Sequence, residues 1–172
     1  MEQTSGTATI MIREATGLDI PSIANTFLES AEYHANLDPE RYSVPMVETI
    51  SARYQEARQY PADAEERGIT LVAEFNREIV GFIEARLEES PDLMHREMTY
   101  CHIAEIAVSI RYQHQGIGER LLRAAEEWGR RQGATFASLE YHVANARAAE
   151  FYQRRMGYRV AAITAIKRLA PE

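Results

Sequence analysis

Residues 108–122, VSIRYQHQGIGERLL, hold the reading on which the fold turns. An apolar strand runs out at Val108, a turn carrying Gly116 and Gly118 follows, and an apolar stripe at helical spacing begins with Ile117, Leu121, Ala124, Ala125 and Trp128. A helix that opens this way presents N–H groups with no acceptor inside the helix, at the positive end of its dipole. Glycines there leave the backbone open to a ligand, so the turn reads as an anion cradle. Glycines demanded only by turn geometry give the same spacing, and both readings stand on spacing alone. Two better-known phosphate loops are excluded: there is no G-x-x-x-x-G-K-[ST], and Gly116-x-Gly118 runs on to Leu121 where a dinucleotide fingerprint needs glycine.

Thr9–Glu14 alternates as an opening strand. Asp19 sits at a helix N-cap position with Pro21 in the first turn, and Ile20, Ile23, Ala24, Phe27, Leu28 and Ala31 form one apolar face. The pattern breaks over residues 36–45, and a weaker helix covers Met46–Arg58. Ile69–Phe75 and Ile79–Leu87 read as strands joined at Asn76-Arg77, residues 89–97 as a polar loop, and Met98–Val108 as the longest strand. Gly133 is a natural end for the helix that begins at Ile117. Thr135–Val143 reads as a strand, Ala144–Arg155 as a short helix stopped at Gly157, and Tyr158–Leu169 as β-rich. The order β-α-α-β-β-β-α-β-α-β predicts a mixed α/β sheet, because three consecutive strands do not fit a uniform doubly wound one.

The chain has 172 residues, 45% hydrophobic and 26% charged, with net charge −7. One globular domain over 1–172, with 1–8 as an N-terminal arm, is the expectation. The acidic balance argues against a nucleic-acid partner, and no apolar run is long enough to cross a membrane. A single cysteine, Cys101, excludes an internal disulfide; with no secretory pattern at the N-terminus, a cytoplasmic location is expected. The five histidines show no ligand spacing, so no metal is expected. Cys101 and His102, strand neighbours on opposite faces, do not form a dyad.

Two blocks carry a family resemblance. Gln113-x-x-Gly116-x-Gly118 matches a Q/R-x-x-G-x-G/A signature. Asn145-Ala146-Arg147-Ala148-Ala149-Glu150-Phe151-Tyr152, followed by Met156-Gly157-Tyr158, looks like an N-x-x-A-x-x-F-Y…G-F/Y segment. Together, in this order, they resemble the GCN5-related N-acetyltransferases (GNAT) over nearly the whole chain. The departures are Ile110, where many members carry proline, and Gln113-His114, where many carry Arg-Gly.

The resemblance implies a mixed sheet splayed between its fourth and fifth strands, with acetyl-CoA as co-substrate in the splay. It implies that backbone across Gln113, His114, Gln115, Gly116, Ile117 and Gly118, with Glu119, meets the pyrophosphate. The strand Ile106, Ala107 and Val108 would pair with the pantetheine arm, Asn145 would bond it, and Tyr152 would approach the sulfur. Seven residues, about two helical turns, separate Asn145 from Tyr152, which places them on one face. Five arginines against three glutamates over Arg111–Arg131 add a local positive excess.

Acetyl transfer to an amine needs a base, and Glu105, just ahead of Ile106-Ala107-Val108 where many relatives place a glutamate, is the candidate; a salt-bridged strand glutamate is the competing reading. Tyr152 is the candidate acid, against a packing tyrosine. Glu140 is an alternative base. Tyr33, His34 and Tyr42 are candidate substrate contacts, since relatives commonly cover the acceptor with this region. Ten acids face four bases between Asp19 and Arg67, which suggests a cationic acceptor, a small-molecule amine or a peptide amine, against a merely solvated helical face. A homodimer is expected, with the β-rich end as pairing strand. A non-catalytic CoA-binding or regulatory module on the same fold is the alternative function.

Overall fold

A computed structural model describes residues 9–59, 68–90 and 94–168. The expected N-terminal arm, residues 1–8, lies outside these. The chain divides into two compact units, Met1–Glu140 and Tyr141–Glu172.

The first unit is a five-stranded sheet in the order β1-β2-β3-β4-β5. β1 (Met11–Glu14), β2 (Gly68–Phe75), β3 (Glu78–Glu89) and β4 (Thr99–Val108) pair antiparallel in sequence, and β5 (Phe136–Leu139) joins β4 in parallel. The Asn76-Arg77 connection turns back with both residues at positive φ, 51° and 67°, the backbone that a tight two-residue hairpin requires. Between Glu84 and Ala85 the register shifts: Glu84 faces Glu105 while Ala85 faces Ile103, which leaves Ala104 as the extra residue on β4.

Helices α1 (Ile20–Leu37) and α2 (Val47–Gln59) bury Ile20, Ile23, Ala24, Ile50 and Tyr54 against Val72, Phe82 and Ala107 on one sheet face. Phe82 is the hub: it stacks on Phe27 at 6.5 Å and meets the Tyr54 ring edge-on at 6.0 Å. Helix α3 (Ile117–Arg131) supports the other face with Ile117, Leu121, Leu122 and Ala125. The sheet makes room for α3 with glycine at Gly81, where an added Cβ would lie 3.3 Å from Leu121 Cδ1.

Asp19 does precede α1, but its carboxylate does not cap the helix. Instead it accepts bonds from the Thr16 N–H at 2.7 Å and from both terminal nitrogens of Arg13, at 2.8 and 2.9 Å. A buried carboxylate with a bidentate guanidinium in reach satisfies itself there. The fifth strand is shorter than Thr135–Val143, ending at Leu139 because it pairs only Tyr100–Ile103 of β4.

In the second unit, α4 (Ala146–Ala149) is capped by Asn145, whose Oδ1 accepts from the Ala148 N–H at 3.0 Å, and runs into a π-helical turn over Glu150–Arg155. The wider π turn rotates Tyr152 away from strict α spacing with Asn145. The expected strand at Tyr158–Leu169 is not formed: residues 158–168 carry no regular structure. Val160, Ile163 and Ile166 are exposed, and β-branched composition without a pairing neighbour does not make a strand.

Candidate active site

The splay lies within the first unit. β5 leaves β4 after Ile103, whereas β4 continues to Val108 against β3. The Ser109 N–H bonds Val80 O at 2.9 Å, and alternation along the strand then turns the peptide groups of Ala107 toward β3 and those of Ile106 and Val108 toward the edge that β5 has left. Gln113 folds back so that its Nε2 donates to Val108 O at 3.1 Å, tying the glycine turn to the strand end.

The turn adopts the backbone that its glycines allow. Gly116 precedes α3 at φ 78°, where an added Cβ would meet nothing within 4 Å, and His114 also has positive φ, 63°. Open space on the Cβ side and a helix start beneath it make a surface that a phosphate can approach through backbone N–H groups. Glu119, in the first helical turn, holds Arg123 at 3.0 Å. The arginine excess around the turn is largely paired: Arg111 with Glu78, Arg130 and Arg131 with Glu127.

On the sheet face under α1 and α2, the structure sets Glu105 among groups that sequence reasoning missed. Glu84 faces it across the ladder. Arg53 of α2 reaches Glu84 with Nη2 at 2.9 Å, its guanidinium lying 5.3 Å from the Tyr54 ring centre. Burial first, then the Glu84 charge, push the Glu105 carboxyl up to about 7, with Arg53 pulling the other way. Burial also raises Glu84. Tyr54, buried, is raised by desolvation and by both glutamates. Its hydroxyl interacts with Glu84 short of a formed hydrogen bond, and no described residue gives it one.

These partners escaped the sequence because β3 and β4 are not joined by a tight turn. Their register, bulge included, follows from packing rather than from a loop type. The only available signal was that the period-two face of Phe82 includes Glu84.

Tyr33, His34 and Tyr42 come together: the Tyr33 and His34 rings lie 5.7 Å apart, His34 and Tyr42 5.4 Å, and Arg41 sits over Tyr42 at 5.6 Å. Glu140 is exposed beyond the end of β5. In the second unit Tyr152 is buried among Tyr141, Phe151 and Tyr158, at 5.6, 5.1 and 6.0 Å. Cys101 is buried against α3 and pushed up to about 11 by desolvation, while His102 meets Ser138 at 3.1 Å; the two do not act together. Among the described residues, no group of His, Cys, Asp and Glu could hold a metal ion, and no helix is long and apolar enough to cross a membrane.

Comparison with known proteins adds three findings. The model of the acetyltransferase (GNAT) family matches residues 31–158. Among solved structures, a mutant of the BH1408 protein from Bacillus halodurans superposes with a TM-score of 0.81 at 23% identity, covering 93% of this chain and 99% of that one. A structure described as a transcriptional regulator from Bacillus halodurans C-125 gives 0.71 at 19%, covering 94% and 100%. The aminoglycoside acetyltransferase AAC(6')-Iy with a CoA-linked bisubstrate analogue gives 0.70 at 16%, covering 95% and 100%. No curated protein matches by sequence.

Proposed function

Because the chain belongs to the acetyltransferase (GNAT) family, we propose that it moves an acetyl group from acetyl-CoA directly to a primary amine, with both substrates bound together. The observation that carries this reading is Glu105: a carboxylate beside the open β4 edge whose surroundings poise it to titrate near 7. An alkylammonium has a pKa near 10, so at neutral pH its nitrogen has no free pair. Glu105 takes a proton from that nitrogen, which keeps the electron pair.

The nitrogen then bonds the acetyl carbon as the carbon–sulfur bond breaks. One of the two protons left on nitrogen is then lost to water, the other staying in the amide, and the departing thiolate takes a proton from Tyr152, the proposed donor, which solvent reprotonates. Acetyl-CoA supplies an activated thioester. The chain's own part is to hold it: the Ile106 peptide groups and the Val108 N–H lie at the splayed edge, and residues 114–118 offer N–H groups at the start of α3. Asn145 is proposed as a further contact to the pantetheine arm.

The acidic segment Asp19–Arg67 supports a cationic acceptor, a small molecule or a peptide amine, with Tyr33, His34 and Tyr42 as its covering aromatic cluster. The lone buried cysteine supports a reducing, cytoplasmic setting. The exposed Val160, Ile163 and Ile166 support a homodimer, which sedimentation over a concentration series tests.

The deciding experiment is free-thiol release from acetyl-CoA across a panel of amines and basic peptides. Turnover with at least one amine, lowered about 100-fold or more in kcat by Glu105→Gln, is expected. Tyr152→Phe lowers kcat with CoA affinity kept, if Tyr152 donates rather than packs. CoA binding with no turnover on any amine would favour a regulatory module instead.

A further inference from the structure

Glu84 and Glu105 are direct partners in the β3–β4 ladder, so their side chains leave the same sheet face about 5 Å apart at Cβ. Like charges so placed repel, and burial sharpens the repulsion. Nothing in the fold demands the pair, since Phe82 and Ala107, the next ladder pair on the same face, are apolar. The surroundings are also asymmetric. Arg53 bonds Glu84 and not Glu105. The Tyr54 hydroxyl, in a ring only 4% exposed, has no formed hydrogen bond. It lies where it feels both carboxylates.

We propose that Glu84 is a positioning residue for Glu105: a fixed second negative charge, partly screened by Arg53, that makes the two carboxylates titrate as a pair and keeps Glu105 basic enough to accept the amine proton. This rests on Glu105 acting as the base. Two half-buried carboxylates side by side give up their protons in separate steps, one early and one late. Glu84, bonded to Arg53, takes the early step, and Glu105 takes the late one. The groups that face Glu105 are Glu84 from β3 and Arg53 and Tyr54 from α2, with Arg86 of β3 acting on Glu84. Helix α1 presents Phe27 to this face, while its Glu29 is engaged elsewhere, with Ser109 Oγ and the Ile110 N–H.

The test is a carboxyl-carbon NMR titration of the full chain labelled at glutamate, with Glu105 assigned by Glu105→Gln. It is run on the unsubstituted protein, Glu84→Gln and Arg53→Gln. The Glu105 midpoint is expected to fall by about one pH unit or more in Glu84→Gln and to rise in Arg53→Gln, which keeps the pair and lies at an exposed position. The acid limb of kcat/KM for amine acetylation moves with it. A Glu105 midpoint unmoved in Arg53→Gln and in folded Glu84→Gln overturns the proposal. Midpoints that move as stated, with no amine acetylated, uphold the coupled pair and overturn only the role of Glu105 as base.

Discussion

Two carboxylates of the first unit, buried Asp19 and half-buried Glu105, show how opposite environments give opposite pH dependence. Asp19 is held well below the usual carboxylate range, chiefly by its bonds to Arg13, with burial opposing and Thr16 assisting. Its contribution is present above the ordinary aspartate pKa and is lost as pH falls toward the depressed folded value. Asp19→Asn keeps the shape and removes the charge. It is expected to cost about 1–3 kcal/mol at pH 7, read from urea unfolding, with the deficit shrinking in acid. Glu105 has the other sign. Its folded pKa, about 7, lies above the ordinary carboxylate value, so folding is favoured below that ordinary value and the advantage is lost as pH rises through 7. Glu105→Gln is therefore expected to stabilise the fold at pH 8, by roughly 1–3 kcal/mol, while abolishing most turnover. A variant that loses activity and stability together would mark Glu105 as structural. Glu105 could be singled out in sequence because it lies on the long strand just before Ile106-Ala107-Val108, where many relatives of the resembled family place a glutamate. Glu84, Arg53 and Tyr54 could not, because their meeting depends on a strand register and a bulge that no local pattern encodes.

At the scale of elements, α3 joins the glycine turn to the core. Gly116 at φ 78° needs no space for a side chain, only the left-handed backbone. Gly116→Ala is expected to cost about 1–2 kcal/mol from backbone strain alone. Gly129, on the buried side of α3, is the reverse case: its φ is ordinary, but an added Cβ would run into both Cβ and Sγ of Cys101 on β4. Gly129→Ala is expected to cost about 1–3 kcal/mol by overpacking, and Cys101→Ala is not expected to rescue it, since the Cβ clash remains. Denaturant midpoints of the two single variants and the double variant check this. The helix itself was legible, because an apolar stripe over 15 residues with a glycine at each end leaves little choice. The expected terminal strand is absent for the converse reason. Tyr158–Leu169 has β-branched residues at strand-like spacing, but a strand is made by its neighbour, and residues 158–168 carry no regular structure. The fifth strand is shorter than its composition for the same reason: the composition runs to Val143, while pairing with β4 stops at Leu139.

Over the whole molecule the net charge of −7 is unevenly spread, and the structure changes what that spread can do. The arginines near the glycine turn are mostly committed: Arg111, Arg123, Arg130 and Arg131 each hold a glutamate. A phosphate bound at the turn, as proposed, would be held chiefly by backbone N–H groups, short-range contacts that salt weakens little. On the α1–α2 side some acids are also committed, Asp19 to Arg13 and Glu29 to the Ile110 N–H, but Glu32, Glu48 and Glu56 form no ion pair among the described residues. Exposed charges that are not locally cancelled act over roughly a Debye length, about 10 Å at 0.1 M salt. The two substrates should therefore respond differently to ionic strength. A diamine is expected to show a lower KM than the amino alcohol of the same length, because its second ammonium feels the acidic segment and the hydroxyl does not. Raising salt from about 0.05 to 0.5 M shortens the screening length about threefold and should erase most of that difference, while the KM for acetyl-CoA moves much less. Equal KM values for diamine and amino alcohol at low salt would mean that the acidic face is only solvated and that acceptor choice is made at the Glu84–Glu105 pair and the aromatic cluster instead.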